Sequence, residues 1–230
     1  MRQALQGRLS RIAGGIDTAL KWLRWPSALF LLLVLIPTLS ACVSLLGEIV
    51  KTPEPILPFA GGLGLYLVFW TLSIRQWRTT WLSTLEHELT HALFAMLTFH
   101  RVVGIRTTWR NGGHVRYLGT GNWLITLAPY FFPTVCMLLL PLFILVPFLE
   151  TPIGDAVLGA AFAYHVTSTI RETHRGQSDL HKAGFLFCLM VLPGLNLLTH
   201  GLVLAWCHGG NAGLVSFVRL VGANLRSLLW

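Results

Sequence analysis

Charged residues are scarce in this chain of 230 residues. They occupy 11% of the positions, whereas hydrophobic residues occupy 54%. Soluble domains carry about 25% charged residues, so this chain has too little polar surface to face water on all sides. The scarcity excludes an ordinary soluble domain and indicates a protein that is surrounded by lipid.

Cysteine is scarce as well, and its placement excludes two kinds of site. The chain has four cysteines, scattered through apolar segments without a CxxC pair (Cys42, Cys136, Cys188 and Cys207). Such a distribution indicates neither a disulfide framework nor a thiolate metal site. The four thiols are expected to pack as small hydrophobic groups.

The positive charge of the chain is not gathered into one arm or one face. The formal net charge is +8, but Lys and Arg are spread along the chain near the ends of apolar runs. A basic patch for nucleic acid would be concentrated, so no nucleic-acid partner is expected. Basic residues at the ends of apolar runs are typical of the cytoplasmic loops of membrane proteins.

Long apolar runs dominate what is present. They cover residues 28–47, 56–74, 121–149, 156–170 and 183–206. All but 156–170 approach or exceed the roughly 20 residues that span a hydrocarbon core. We therefore predict an all-α polytopic membrane protein with about five to six transmembrane helices, in which residues 1–230 form a single integral membrane domain.

Three local patterns refine this prediction. Leucine and isoleucine recur every three or four residues near the N-terminus with Arg and Lys between them, so residues 1–25 should contain an amphipathic basic helix on the membrane surface. The AGGLG stretch at 60–64 should allow close helix contact. The LAPYFFP stretch at 127–133 should kink or partly unwind the helix that contains it.

The stretch 101–119, RVVGIRTTWRNGGHVRYLG, changes from helical to alternating periodicity. Apolar residues alternate on both sides of Asn111-Gly112, a pair that favours a type I′ turn, so we predict a small β-hairpin. Open strand edges cannot face lipid. The hairpin should therefore lie at the membrane interface or in a wet cavity lined by protein.

The most informative segment is WLSTLEHELTHALFAMLTF, residues 81–99. Ionisable groups are costly in an apolar helix and are functional by default. His87 and His91 lie four residues apart, so they project from one helical face and can bind one zinc ion, while Glu88 can act as general base on a zinc-bound water. The HELTH sequence therefore predicts a catalytic zinc site.

A catalytic zinc site needs a third protein ligand. The soluble-protease pattern HExxHxxGxxH is absent, because residues 92–97 read ALFAML, and His100 lies in the wrong direction to close the site. The segment 165–184 contains the other candidates, which are His165, Glu172, His174, Asp179 and His181.

Together these features resemble the site-2 protease family of intramembrane zinc metalloproteases, and its small bacterial branch without a PDZ domain most of all. HELTHALFAMLTF is similar to the HELGHAL-type helix of that family, with Thr90 in place of the usual Gly. The family also has a β-hairpin after this helix and an aspartate, often in an NPDG or LDG motif, that opens a later membrane helix. GQSDLHKAGFLF supplies Asp179 at that position without the full motif.

This resemblance, which covers residues 79–206 as a metalloprotease core, implies a set of roles. Zn²⁺ would be held by His87, His91 and Asp179, and Glu88 would be the catalytic base. The substrate would be a membrane-spanning protein segment, cut within the lipid bilayer. The resemblance also implies a multi-pass protein of the bacterial cytoplasmic membrane.

Two alternatives remain open on the sequence. Glu172 or His165 could replace Asp179 as the third ligand, and a glutamate there would favour a membrane metalloprotease of the prenyl-protein type. A non-catalytic zinc-binding membrane protein, such as a sensor or transporter, is the other alternative. Such a protein would need polar residues along a path through the bilayer, whereas here they cluster at one depth.

Overall fold

Helices make up most of the protein, as predicted. The computed structural model describes residues 2–74, 81–108, 112–146, 149, 151–174 and 176–230. The helices are α1 (Arg2–Trp22), α2 (Arg24–Lys51), α3 (Leu57–Phe69), α4 (Trp81–Leu97), α5 (Trp123–Leu127), α6 (Thr134–Leu145), α7 (Pro152–Glu172), α8 (Ser178–Ala183) and α9 (Phe185–Leu229). Strands β1 (Val102–Thr107) and β2 (Gly113–Tyr117) follow α4. The prediction of a mainly helical chain with a small hairpin is confirmed.

Within the described ranges, three helical segments are long and apolar enough to cross a membrane. They are α2, the segment 54–73 that includes α3, and α9. Trp123–Tyr130 and Thr134–Leu145 would form a fourth crossing if this bent pair is one broken span. These segments have the length and the apolar composition of membrane-spanning helices, so the chain is an integral membrane protein.

The bend in that pair confirms the predicted break at LAPYFFP. The helix axes on its two sides differ by 87°. The break frees backbone carbonyls inside the bundle, where each needs a partner. Asn196 donates its Nδ2 to the carbonyl of Tyr130 at 3.0 Å, and Thr199 donates its hydroxyl to the carbonyl of Phe131 at 2.7 Å. Side chains of α9 thus stabilise the broken segment.

Helix α9 is itself two helical arms. Gly209 and Gly210 have non-helical backbone angles, and Gly210 has a φ of 54°. A Cβ at Gly201 would lie 2.3 Å from the Phe217 ring, and one at Gly213 would lie 2.1 Å from the carbonyl oxygen of Ala205. In each pair the two residues lie equally far in sequence from residue 209, one before it and one after it. The chain therefore reverses direction at residue 209, and the two arms pack against each other.

The hairpin is antiparallel. Val102 pairs with Tyr117 and Thr107 pairs with Gly113, with an irregularity in register after Val102. The predicted turn rests partly on Asn111, which lies outside the described residues. Gly112 has a φ of 70°, a left-handed conformation that glycine adopts without strain.

The predicted N-terminal helix is present as α1, and it is docked on the rest of the chain. Ala13 and Asp17 lie on its buried side, whereas Ile12 is 47% exposed. The indole nitrogen of Trp123, at the start of α5, donates to the carbonyl of Leu20 at 3.1 Å. A face of α1 therefore contacts protein, which the amphipathic pattern alone did not indicate.

Helices α3 and α7 approach so closely that glycine is required at their contact. A Cβ at Gly62 would lie 1.8 Å from the carbonyl oxygen of Ala156, and one at Gly159 would lie 2.0 Å from that of Phe59. Gly61, the neighbour of Gly62, has nothing within 4 Å of its Cβ position. Only part of the predicted AGGLG motif thus makes the close contact.

This contact gives a paired prediction. Replacing glycine by alanine should stabilise the helix by about 1 kcal/mol at position 61 and at position 62 alike. The difference in stability between the two variants therefore measures the contact of α3 with α7. Gly61→Ala should match or exceed the wild-type midpoint of thermal unfolding in detergent. Gly62→Ala should fall below it, because overpacking costs about 1–3 kcal/mol. Equal midpoints for the two variants would contradict the close packing of α3 on α7.

Candidate metal centre

Helix α4 carries its polar residues on the side that faces the protein. His87, Glu88 and Thr90 are buried, whereas Leu89 is 43% exposed. The hydroxyl of Thr90 donates to the carbonyl of Glu86 at 2.8 Å and also contacts the hydroxyl of Thr134. The ionisable groups His87 and Glu88 therefore point into the bundle.

Three donor atoms converge beside α4. Nε2 of His87 and Nε2 of His91 are 3.1 Å apart. Oδ2 of Asp179 lies 3.5 Å from the first and 3.3 Å from the second. Ligands at 2.0–2.1 Å in a tetrahedron are about 3.3 Å from each other. The three atoms therefore have the spacing of three ligands around one zinc ion.

The part of the chain that the structure describes contains no other cluster of three such donors within ligand distance. Two imidazoles with one carboxylate are a donor set that zinc accepts, and three protein ligands leave a fourth position for water. The residues therefore fit the metal that the sequence predicts.

Asp179 lies in α8, a short helix that packs against the rest of the protein. Leu180 and Ala183 are buried on the inner side of α8. Gly184, which has a φ of 80°, connects α8 to α9. Oδ1 of Asp179 also accepts from Nζ of Lys182 at 3.3 Å. A carboxyl group binds a metal ion in its ionised form.

The other nitrogen of each histidine is also held. Nδ1 of His87 is 2.5 Å from Oε2 of Glu172 at the end of α7. Nδ1 of His91 donates to the carbonyl of Ile125 in α5 at 2.8 Å. Such partners orient an imidazole and leave Nε2 without its proton, ready for a metal. Both Nε2 atoms are therefore directed to one point.

The rival ligands from the sequence do not join the cluster of three donors. Glu172 faces Nδ1 of His87 and not the side where the three donors converge. His165 is buried with its Nδ1 3.9 Å from Oε1 of Glu86. His174 and His181 are exposed. Of the five candidates in 165–184, Asp179 is the one with an oxygen within 3.5 Å of both Nε2 atoms.

Glu88 and the three donors line one cavity of about 1060 Å³. Strand β2 forms another part of its wall, and it passes close to Glu88. A Cβ at Gly113 would lie 2.6 Å from Cγ and 2.9 Å from Oε1 of Glu88. The carboxylate of Glu88, the candidate metal centre and the start of β2 therefore line the same cavity.

Comparison with known families agrees with this geometry. The family model described as Peptidase M50B-like matches residues 60–198, a range that contains HELTH, the hairpin and Asp179. The chain belongs to the Peptidase M50B-like family, within the site-2 proteases. Membership makes it a membrane metalloprotease. No curated protein and no solved structure matches the chain.

The matched range of this M50B-like protein begins in α3, so α1 and α2 precede it. Residues of α1 nevertheless line the cavity, among them Asp17 and Lys21. No motif in the sequence connects either residue with the site. One signal was available, since Asp17 is the sole acidic residue among the basic and apolar residues of 1–25.

The contact between Gly113 and Glu88 predicts a specific loss of proteolytic activity. In Gly113→Ala the new methyl group must displace Glu88 or β2, and misplacement by 1 Å can cost about 10²-fold in rate. We expect cleavage to fall at least about tenfold while bound zinc is unchanged.

Gly104→Ala in the same hairpin is the matched control, because its Cβ would meet only the mobile end of Arg116 at 3.4 Å. That variant should keep wild-type activity. Equal cleavage by both variants, measured on the same membrane substrate, would contradict a close fit of β2 against Glu88.

Proposed function

We propose that this protein is an intramembrane zinc metalloprotease that hydrolyses peptide bonds in membrane-spanning protein segments, of the type used in regulated intramembrane proteolysis. The observation that carries the proposal is the convergence of Nε2 of His87, Nε2 of His91 and Oδ2 of Asp179 in a cavity that Glu88 also lines. The spacing of the three donors supports a zinc site, and Glu88 supports a hydrolytic one.

His87, His91 and Asp179 would hold the metal. Zinc bound there would act as a Lewis acid on the scissile carbonyl and would lower the pKa of the attacking water. Glu172 and the carbonyl of Ile125 would keep the two imidazoles in the orientation that binding requires. The ionised carboxyl of Asp179 would offset part of the positive charge.

Glu88 would move the protons. Its carboxylate is adjacent in sequence to His87 and lies on the cavity wall. It would accept a proton from the attacking water and then deliver it to the nitrogen of the leaving amine. This assignment leaves Glu88 outside the metal ligand set, as the HExxH pattern requires.

Strand β2 would hold the substrate in an extended conformation. In the described part of the chain β2 pairs with β1 alone, and Gly113, His114 and Val115 line the cavity. A membrane helix must unwind before its backbone can be cut, and an extended segment can add to a strand edge through main-chain hydrogen bonds. The nearness of Gly113 to Glu88 would place that segment beside the base.

The contacts of Glu172 weigh against a prenyl-protease-like enzyme. That alternative requires a glutamate as third ligand, whereas Glu172 contacts the nitrogen of His87 that faces away from the other donors. A non-catalytic zinc protein does not account for Glu88 in the same cavity. The intramembrane protease is therefore the function that the geometry supports best.

The setting that we propose is the lipid bilayer of a bacterial cytoplasmic membrane. A count of about five to six crossings would require α7 or the second arm of α9 to cross as well. Residues 1–230 would then form one integral membrane domain, with 79–206 as its protease core. The partners would be lipid and a membrane-protein substrate.

The metal prediction tests the ligand set. Purified wild-type protein should hold about one zinc per chain, and His91→Ala should hold less than about a tenth of that, because two remaining ligands bind zinc poorly. Asp179→Asn should weaken binding too, since the amide removes an anionic ligand.

Metal content is measured by mass spectrometry after dialysis against a weak chelator. His208→Ala is the matched control, because His208 contacts Thr52 beyond the end of α2 and should not affect zinc. Full zinc in both His91→Ala and Asp179→Asn would refute the site.

The prediction for Glu88 tests the chemistry. Glu88→Gln should fold and retain zinc but lose at least about 10²-fold in cleavage, because the amide cannot accept the proton of water. The measurement is immunoblotting of a panel of single-span membrane proteins that are co-expressed with the protease. Cleavage by Glu88→Gln at the wild-type rate would eliminate the protease proposal even if zinc is bound.

A further inference from the structure

Asp17 is a buried carboxylate on a helix that lies outside the family match. Its side chain is 6% exposed, and it accepts four hydrogen bonds. The donors are Nε2 of His100 at 3.0 Å, the hydroxyl of Thr120 at 2.8 Å, the backbone nitrogen of Gly121 at 3.0 Å and Nδ2 of Asn122 at 2.9 Å. A buried charge is tolerated only when it is satisfied in this way.

Burial raises the pKa of Asp17, but the hydrogen bonds, led by that of Asn122, outweigh it and hold the pKa below its ordinary value. Asp17 is therefore an anion that joins α1 to two places in the chain, His100 and the consecutive residues 120–122. His100 follows the end of α4, Thr120 and Gly121 follow β2, and Asn122 begins α5. These are the elements that surround the candidate metal centre.

We infer that Asp17 is a positioning residue for the metal ligand His91, and that α1 is a working part of the active site. The inference rests on the metal site proposed above. It assigns to the N-terminal helix a role in catalysis beyond anchoring to the membrane.

The first step of the connection is the contact between Asp17 and Asn122. Oδ1 of Asp17 accepts from Nδ2 of Asn122, and Oδ1 of Asn122 accepts from the backbone nitrogen of Ile125 at 3.2 Å as the N-cap of α5. The carboxylate can only accept and the backbone nitrogen can only donate. Together they fix the orientation of the Asn122 amide.

The second step leads from α5 to the metal centre. The residue whose nitrogen is capped, Ile125, is also the residue whose carbonyl accepts from Nδ1 of His91 at 2.8 Å. Ile125 is 1% exposed, so it has little freedom to adjust. Asp17 thus fixes Asn122, Asn122 fixes the first turn of α5, and that turn fixes the imidazole of His91.

Asp17→Asn breaks this connection at a single atom. The new amide at position 17 has one oxygen and one NH₂ group in place of two oxygens. Its NH₂ group must face either Nδ2 of Asn122 or the three groups that donate to the other oxygen of Asp17, which belong to His100, Thr120 and Gly121. The first arrangement is relieved if the Asn122 amide flips, but the flip removes the cap from Ile125. In the second arrangement the NH₂ group faces the backbone nitrogen of Gly121, which can only donate. Gly121 precedes the N-cap residue Asn122, so the start of α5 is disturbed there instead. We therefore expect the geometry of His91 to change in either arrangement.

The readout is the visible absorption of the Co²⁺-substituted full-length protein, because its d–d bands depend on the geometry of the ligands. Asp17→Asn should shift these bands and weaken zinc binding by up to about tenfold, the lower end of the loss for a direct partner of a ligand, because Asp17 acts through Asn122 and Ile125. It should lower kcat with little change in KM. Glu48→Gln, which neutralises an exposed carboxylate paired with Lys51, is the control and should retain the wild-type spectrum.

The double variant Asp17→Asn with Asn122→Asp is a rescue test. It keeps the net charge and restores each contact, because the new aspartate accepts from Ile125 and from the NH₂ at position 17. The other oxygen at position 17 still accepts from His100, Thr120 and Gly121. We expect the double variant to recover the wild-type cobalt spectrum and kcat.

The possible outcomes separate the two proposals. If Asp17→Asn folds with the wild-type spectrum, zinc affinity and kcat, Asp17 does not position His91 and the inference is wrong. If Asp17→Asn does not fold, the double variant decides: a folded double variant with an altered spectrum, or one that does not fold, overturns the inference. A wild-type protein that binds neither cobalt nor zinc would instead refute the metal site on which the inference rests.

Discussion

The convergence of two imidazole nitrogens inside an apolar bundle is the constraint on which the rest of the structure depends. Nε2 of His87 and Nε2 of His91 lie 3.1 Å apart, a separation at which both can bind one zinc ion. Each Nε2 must be free of its proton to bind a metal, so each Nδ1 must have its own acceptor. Glu172 and Ile125 provide these acceptors from two other helices.

That requirement explains why the chain departs from simple transmembrane helices around the site. The break after α5 brings the carbonyl of Ile125 to His91 and exposes other carbonyls, which Asn196 and Thr199 then satisfy. The short helix α8 ends at Gly184 after carrying Asp179 to the histidines. The hairpin approaches Glu88 through Gly113, where no larger side chain fits. Polar groups in lipid need partners, and irregular backbone provides them here.

The parts of this arrangement that the sequence predicts are those with local signals. HELTH on a helix, the hairpin after it and the break at LAPYFFP each have a period, a motif or a breaker that indicates them. Asp179 is predicted as the third ligand from its position before an apolar helix together with the family resemblance. Spacing along the chain alone did not separate it from Glu172.

The remaining features depend on contacts between distant residues. Glu172 lies 85 positions from His87 in sequence, as their numbers show, and no pattern indicates that it orients the imidazole. Asp17 is 105 positions from Asn122, and its helix reads as a surface helix because one buried carboxylate does not alter an amphipathic pattern. The helix reversal at Gly209–Gly210 was concealed within an apolar run. Packing decides these features, and a single sequence does not record it.

X-ray absorption at the zinc edge of the purified full-length protein tests the central claim most directly, because it measures the ligands themselves. The account predicts two imidazole nitrogens and oxygen donors at about 2.0–2.2 Å, with one oxygen changed in Asp179→Asn. A sulfur shell at about 2.3 Å, or an identical spectrum for Asp179→Asn and the wild type, would contradict it.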